Sequence, residues 1–146
     1  MTELRSSIRE TFDVSCDILV AGGGAAGMIA ALRAKQAGAT VLVVERDAVP
    51  GGSTALSAGL IPAAETLFQR EAGVIDSKRR FADDIIAKAH GEPDPRAVAT
   101  VVGAVGPAIE WLADAHGLPI SVITNFTYPV IPRCACMGCR AGPAQN

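Results

Sequence analysis

The most regular alternation of hydrophobic and polar positions lies between Asp17 and Glu45. The run Ile18-Leu19-Val20-Ala21 is apolar throughout and too brief for a helix, which predicts a buried strand. From Ala25 to Ala37 the chain is rich in Ala, Leu, Arg, Lys and Gln, good helix formers. Gly38 stands where such a helix would end in a left-handed residue. A second apolar run, Val41-Leu42-Val43-Val44, predicts another strand and ends at Glu45. Further on, Phe68, Ala72, Val74 and Ile75 lead in, and Phe81, Ile85, Ile86 and Ala89 recur at helical spacing. Residues 65–89 are therefore expected to be helical with a break near Gly73, and Asp76-Ser77 reads as a capping pair ahead of the second piece. Asp83 and Asp84, with Lys78, Arg79 and Arg80, are assigned to its solvated face. His90-Gly91-Glu92-Pro93-Asp94-Pro95 predicts a loop, with Asp94 as a cap and Pro95 at the first helical position. Val98, Val101, Val102, Val105, Ile109 and Leu112 predict a long helix over 96–116, open to a kink at Pro107 and stopped by Gly117.

Between the first strand and helix lies Gly22-Gly23-Gly24-Ala25-Ala26-Gly27. Gly22 lets the backbone turn out of the strand at positive φ. Gly24, with no Cβ, admits a pyrophosphate to the main chain, and Gly27 lets the helix pack closely on the strand. The helix beginning near Ala25 directs unpaired N–H groups and its positive pole at the phosphates. Glu45 can accept hydrogen bonds from ribose hydroxyls and would repel a 2′-phosphate, which disfavours NADP. Strand, bend, helix, second strand and acid in register make a βαβ unit, so the fold class is α/β, Rossmann-like. On these residues alone FAD and NAD both remain open. The Pro50-Gly51-Gly52 turn follows. Ser53, Thr54, Ser57 and Gly59 then form a small hydroxyl-bearing segment able to lie flat against a planar ligand.

A length of 146 residues is one domain with room for a real core. Composition suits an Ala/Val/Gly-rich α/β domain: 49% of residues are apolar and only 4% aromatic. A net charge of -2 gives no argument for nucleic acid or an anionic membrane as partner. No stretch is expected to reach the length of a spanning helix. The first residues are charged and polar without the apolar core of a signal peptide, so a cytoplasmic location is expected, with 1–11 as a flexible lead-in. His90 and His116 each lie at a helix end beside glycine, where histidine favours the negative pole; neither is assigned a catalytic role. Cys134, Cys136 and Cys139 offer three thiolates, short of the four that a structural zinc site wants in paired spacing. No metal site is assigned, and a disulfide framework does not suit a cytosolic chain.

The run from Asp17 through Ile61 resembles the flavin-binding domain of the fumarate reductase/succinate dehydrogenase flavoprotein family, which includes ketosteroid dehydrogenases. The residues that carry the likeness are Gly22, Gly24, Gly27, Ala31, Gly38, Val41, Glu45, Arg46, Gly51, Gly52, Thr54 and Gly59. Ile109-Glu110-Trp111-Leu112 and His116-Gly117-Leu118-Pro119 resemble the family as well. The resemblance implies FAD as cofactor, with Gly22, Gly24, Ala25, Ala26 and Gly27 at the pyrophosphate. It implies Glu45 at the adenosine ribose, Arg46 by the adenine, and Gly51, Gly52, Ser53, Thr54, Ser57, Ala58 and Gly59 beside the flavin ring. Ser53 stands where respiratory members carry a histidine covalently linked to FAD, so the expected FAD is non-covalent.

By the same resemblance, 12–129 is the N-terminal part of an FAD-binding domain, incomplete and with additional helices. After Tyr128-Pro129 the family continues with Gly-His-Ser and then an Arg-Met-His-Gly-Leu-Pro-like run. GC-rich codons for Val130 onward, shifted by one base, permit that continuation. Residues 130–146 are therefore read as an aberrant, frameshifted and disordered tail. The implied activity is FAD-dependent oxidation or reduction of the C–C/C=C bond of an organic acid, ketone or steroid, with hydride passing to or from the flavin N5. The catalytic acid belongs to a capping domain beyond Pro129, so no catalytic residue is assigned. A small-molecule substrate is expected only in a full-length relative, and the oligomeric state is not legible. The alternatives are a non-catalytic module for NAD or FAD and a decayed gene product.

Overall fold

A computed structural model of the chain describes residues 13–123 and, as a strand, Cys136–Cys139. The chain divides into two compact units, Met1–Ser57 and Ala58–Asn146. The architecture mixes helices with a small parallel sheet and a small antiparallel one.

The first unit runs β1 (Ile18–Ala21), α1 (Ala25–Gln36), β2 (Val41–Val44) and α2 (Gly52–Ala55). β1 and β2 pair in parallel, from Ile18 opposite Val41 to Ala21 opposite Val44. Parallel neighbours need a crossover rather than a tight turn, and α1 supplies it. Gly38, at φ +90°, follows the last turn of α1, where Arg33 and Lys35 complement the negative pole. The starts of the two strands are tied by Asp17. Its carboxylate accepts from the Thr40 N–H at 2.8 Å and from the Thr40 hydroxyl at 2.6 Å, and these bonds hold it below the usual carboxylate range.

The burial expected of β1 is corrected. Leu19 is 60% exposed and Ile18 42%, and Gly23 is the one buried residue among the described residues of this unit. A continuous apolar strand is buried only where layers cover both faces. Here two strands of four residues meet a single helix, α1, so the second face has no layer within the unit.

The second unit runs β3 (Leu60–Pro62), α3 (Leu67–Glu71), α4 (Lys78–Lys88), α5 (Pro95–His116), β4 (Ile120–Ile123) and β5 (Cys136–Cys139). The helical span expected over 65–89 separates into α3 and α4, with Gly73 at φ +68° in the break. Glu65 is not helical: at φ +58° it turns the chain before the cap Thr66. Ser77 caps α4 by accepting from the Arg80 N–H, and Asp94 caps α5 by accepting from the Arg96 N–H, with Pro95 at its first position. Gly117 closes α5 at φ +64°. Val98, Val102, Gly106 and Ile109 form the buried stripe of α5, at the i, i+4, i+8, i+11 spacing of one helical face. With Ala63, Ala64 and Phe81 they make the core. A Cβ on Gly106 would lie 3.3 Å from the Ala64 carbonyl oxygen, so the helix backbone approaches that segment directly.

Two buried polar residues sit in this core, Thr66 and Gln69. Thr66 Oγ1 accepts from the Gln69 N–H, and Gln69 Oε1 accepts from the Thr66 N–H at 2.9 Å. Gln69 Nε2 donates to the Ala63 carbonyl at 2.9 Å. The pair is a capping box whose Thr-x-x-Gln spacing is visible in the chain.

One further expectation changes. α5 has a window of mean hydropathy 1.3 and is long enough to cross a membrane by length and composition. Val98, Val102 and Ile109 on it pack with Ala63, Ala64 and Phe81, and 22% of that window is buried. Within the segment read as an aberrant tail, Cys136–Cys139 form the middle strand of an antiparallel sheet ordered β3-β5-β4, with Met137 opposite both Ile61 and Val122. The rest of 130–146, the lead-in 1–11 and the cysteine side chains of the Cys-x-Cys-x-x-Cys motif lie outside the described residues.

Ile109 is 1% exposed in the core, and Val101, on the same helix, is 54% exposed. Urea unfolding of Ile109→Ala is expected to show a loss of about 2–5 kcal/mol. Val101→Ala should stay within about 0.5 kcal/mol of the parent, as exposed positions do.

Candidate functional site

The glycine bend that follows β1 is shaped by backbone contacts. Gly22 leaves the strand at φ +104°, and its N–H donates to the Val44 carbonyl at 2.7 Å, prolonging the β1–β2 ladder by one bond. A Cβ on Gly27 would lie 2.1 Å from the Gly22 carbonyl oxygen. No side chain fits there, so the start of α1 is seated directly on the strand end. Gly24 is the N-cap of α1 and makes no side-chain cap. The N–H groups of Gly24, Ala26 and Gly27 donate to nothing among the described residues.

Glu45 follows β2 by one residue, and the parallel register brings it level with the bend. Its Oε2 accepts from the Gly23 N–H at 2.7 Å. Its Oε1 accepts from the Arg46 N–H at 2.7 Å and the Asp47 N–H at 3.1 Å. These three bonds, that from Gly23 foremost, hold the carboxyl below the usual glutamate range. Gly23 also has little room: a Cβ there would lie 3.1 Å from Pro50 Cβ. Sequence reasoning placed this residue within the glycine bend but not against Glu45. The G-x-G-x-x-G pattern leaves its second position unspecified, and only the register reveals the contact with Glu45.

The hydroxyl-bearing segment is in part a short helix. Gly52, at φ +62°, opens α2 after Gly51, and Ser53 is exposed within it. Thr54 Oγ1 accepts from the Ala25 N–H at 3.2 Å, so α2 meets the start of α1. Ser57 donates its hydroxyl to the Thr54 carbonyl at 2.8 Å. Ala58 and Gly59 open the second unit. The Arg46 side chain is 90% exposed and pairs with Asp47 at 3.3 Å. The structure thus brings Gly22 to Gly27, Glu45 and Thr54 together, and it leaves the Arg46 guanidinium in solvent. A groove of about 620 Å³ in the second unit, lined by Gln69, Arg70, Val74, Ile75 and Asp76 among others, shares no residue with the bend. It is not the candidate site.

The region 17–135 matches the family model described as FAD binding domain. The chain belongs to the FAD binding domain family. FAD is accordingly its cofactor, and the residues present fit it. Gly24 offers main chain with no Cβ in front, three N–H groups at the start of α1 are unpaired, and a carboxylate stands at the end of β2. The family match runs past Pro129, as far as residue 135. The domain is 40% identical over 111 residues to an NADH:fumarate oxidoreductase of Klebsiella pneumoniae, covering 76% of this chain and 12% of the relative. It is 35% identical over 103 residues to a urocanate reductase of Eggerthella lenta, covering 70% of this chain and 17% of the relative. In structure it is similar to a 3-ketosteroid-Δ4-(5α)-dehydrogenase of Rhodococcus jostii RHA1 crystallised with 4-androstene-3,17-dione, with a TM-score of 0.69 and 33% identity. That alignment covers 79% of this chain and 24% of the dehydrogenase. The chain therefore spans a quarter or less of each of these relatives.

Two predictions follow from the bend. Gly27→Ala, which sets a methyl group against the Gly22 carbonyl, is expected to cost about 1–3 kcal/mol and to break the Gly23–Glu45 hydrogen bond. Faster hydrogen exchange at Gly23 would report it. The second concerns pH. Glu45 has a folded pKa below its unfolded one, so its contribution is complete above the ordinary glutamate range. It is lost as pH falls through the lowered folded value. Asp17 acts with the same sign, so the check is a difference. Melting temperatures of the parent and Glu45→Gln should converge as the medium is acidified from neutral through that window.

Proposed function

We propose that this chain is the N-terminal, FAD-holding portion of an FAD-dependent oxidoreductase, an incomplete Rossmann-like unit that binds FAD without a covalent bond and turns over no substrate by itself. The observation that carries the reading is the Glu45 carboxylate 2.7 Å from the Gly23 N–H. The acid that grips a ribose and the bend that takes a diphosphate are the two halves of one dinucleotide cradle. In this reading Gly22, Gly24, Ala25, Ala26 and Gly27 hold the pyrophosphate and Glu45 the adenosine ribose. Arg46 lies by the adenine, and Gly51 to Thr54, with Ser57, Ala58 and Gly59, run beside the flavin. When bound, the flavin supplies the two-electron chemistry; this chain's residues hold and orient it.

The relatives' names cover fumarate, urocanate and a 3-ketosteroid. The substrate class proposed for the longer protein is therefore an organic acid, ketone or steroid altered at a C–C/C=C bond, with a cytoplasmic setting. Catalytic groups would come from parts of the relatives that this chain does not span. The frameshift reading of residues 130–146 belongs to the same proposal, and the coding DNA tests it: codons 130 to 140 should encode Gly-His-Ser and an Arg-Met-His-Gly-Leu-Pro-like run in another frame.

A second reading, a decayed product that binds nothing stably, is favoured by Leu19 and Leu56, which are 60% and 90% exposed. Purified chain reconstituted with FAD distinguishes the two, and also separates FAD from NAD. The expected result is a yellow, soluble protein with a flavin spectrum, a higher melting temperature with FAD, and a colourless pellet after acid precipitation. A colourless chain unaffected by FAD would overturn the FAD reading. A pellet that stays yellow after washing would overturn non-covalent binding alone.

A further inference from the structure

Ala25 contributes the first N–H of α1, and that N–H is already occupied. It donates to Thr54 Oγ1 at 3.2 Å, whereas its neighbours Gly24, Ala26 and Gly27 donate to nothing among the described residues. The same hydroxyl oxygen lies 4.0 Å from the position of a Cβ on Gly24, at ordinary contact distance, so it borders the main chain that Gly24 leaves open. Thr54 is carried by α2, four exposed residues opened by Gly52 at φ +62°. The turn is closed on itself by Ser57, whose N–H and hydroxyl donate to the Thr54 carbonyl at 3.2 and 2.8 Å.

We infer that Thr54 is an internal stand-in acceptor at the start of α1, and that the cofactor's diphosphate enters by exchanging with it. This rests on the FAD reading above and adds an order of events to it. One amide proton makes one good hydrogen bond, so the Ala25 N–H serves either the hydroxyl or a phosphate oxygen. The hydroxyl is neutral. A phosphate oxygen makes a charge-assisted bond about twice as strong, and the positive pole of α1 favours it further. Exchange therefore runs toward phosphate when the nucleotide is present. Without it, Thr54 keeps an otherwise unpaired N–H satisfied and holds α2 against α1. Occupancy of the diphosphate position is thereby coupled to the docking of the Gly52–Ser57 segment.

The test uses the full 146-residue chain with ADP and FAD as probes, two variants, and two readouts: dissociation constants by calorimetry, and hydrogen exchange of the Ala25 amide. Thr54→Val keeps the side-chain shape and removes the acceptor; Thr54→Ser restores it. The expected result is about 2- to 10-fold tighter ADP binding by Thr54→Val, the factor that loss of one competing neutral hydrogen bond gives. Its ligand-free Ala25 amide should exchange faster, and Thr54→Ser should behave as the parent in both. Equal or weaker ADP binding by Thr54→Val, with a parent that binds ADP and FAD, overturns the exchange and leaves the FAD reading standing. So does an Ala25 amide that exchanges equally fast in parent and Thr54→Val. A parent that binds neither probe overturns the FAD reading itself, and the exchange with it.

Discussion

The seat of α1 on the end of β1 is a backbone-to-backbone contact, and the organisation of the first unit follows from it. With the Gly22 carbonyl oxygen only 2.1 Å from where a Cβ on Gly27 would be, helix and strand meet with nothing between them. That closeness fixes where the first N–H groups of α1 emerge. It also requires Gly22 to leave the strand at φ +104°, a conformation that a residue with a side chain reaches only under strain. The Gly22 N–H then completes the ladder to the Val44 carbonyl, and the next residue on β2 is Glu45. The acid is therefore delivered to the bend by sheet register. A slip of one residue in β2 would send its side chain to the other face.

The electrostatics follow the same geometry. Two of the three N–H groups that hold the Glu45 carboxylate are its own successors, Arg46 and Asp47, and these would form around it wherever the strand ended. The third, from Gly23, crosses 22 residues of sequence and joins β2 to the bend. Glu45 thus has a structural task, bracing the bend, besides any contact with a nucleotide. Its charge matters to both, because a neutral carboxyl would accept the Gly23 N–H less strongly.

Much of this was legible because each piece carries its own local signal. The glycines, the helix formers from Ala25 and the apolar runs give α1 and the two strands nearly to the residue, and Asp94-Pro95 and Gly117 bracket α5. What was not legible depends on neighbours. The apolar content of β1 says what would be buried given two covering layers, and the unit provides one. α5 carries charges near its ends and still meets the length and hydropathy of a span. Thr66 and Gln69 carried a visible capping signal, Thr-x-x-Gln, but their burial depends on α5 approaching at Gly106. The contacts of Thr54 with Ala25 and of Glu45 with Gly23 span 29 and 22 residues, and no local pattern encodes either.

The balance of the first unit bears on how the chain can exist. At the bend the N–H groups of Gly22, Gly23 and Ala25 are paired and those of Gly24, Ala26 and Gly27 are not, while its apolar strands are open on one face and its helix buries no residue. Hydrophobic burial is the main source of folding free energy, and this unit has little of it. A ligand that binds only the folded state adds stabilisation as RT ln(1 + [L]/Kd), about 2.7 kcal/mol at a hundredfold excess over Kd. For a unit so poor in core, that is a sizeable share of its stability. In the proposed reading, the bend and its acid are therefore both the seat of FAD and the place from which the unit is most readily stabilised. The second unit, with Ile109, Val102 and Phe81 packed around Ala63 and Ala64, has a core of its own.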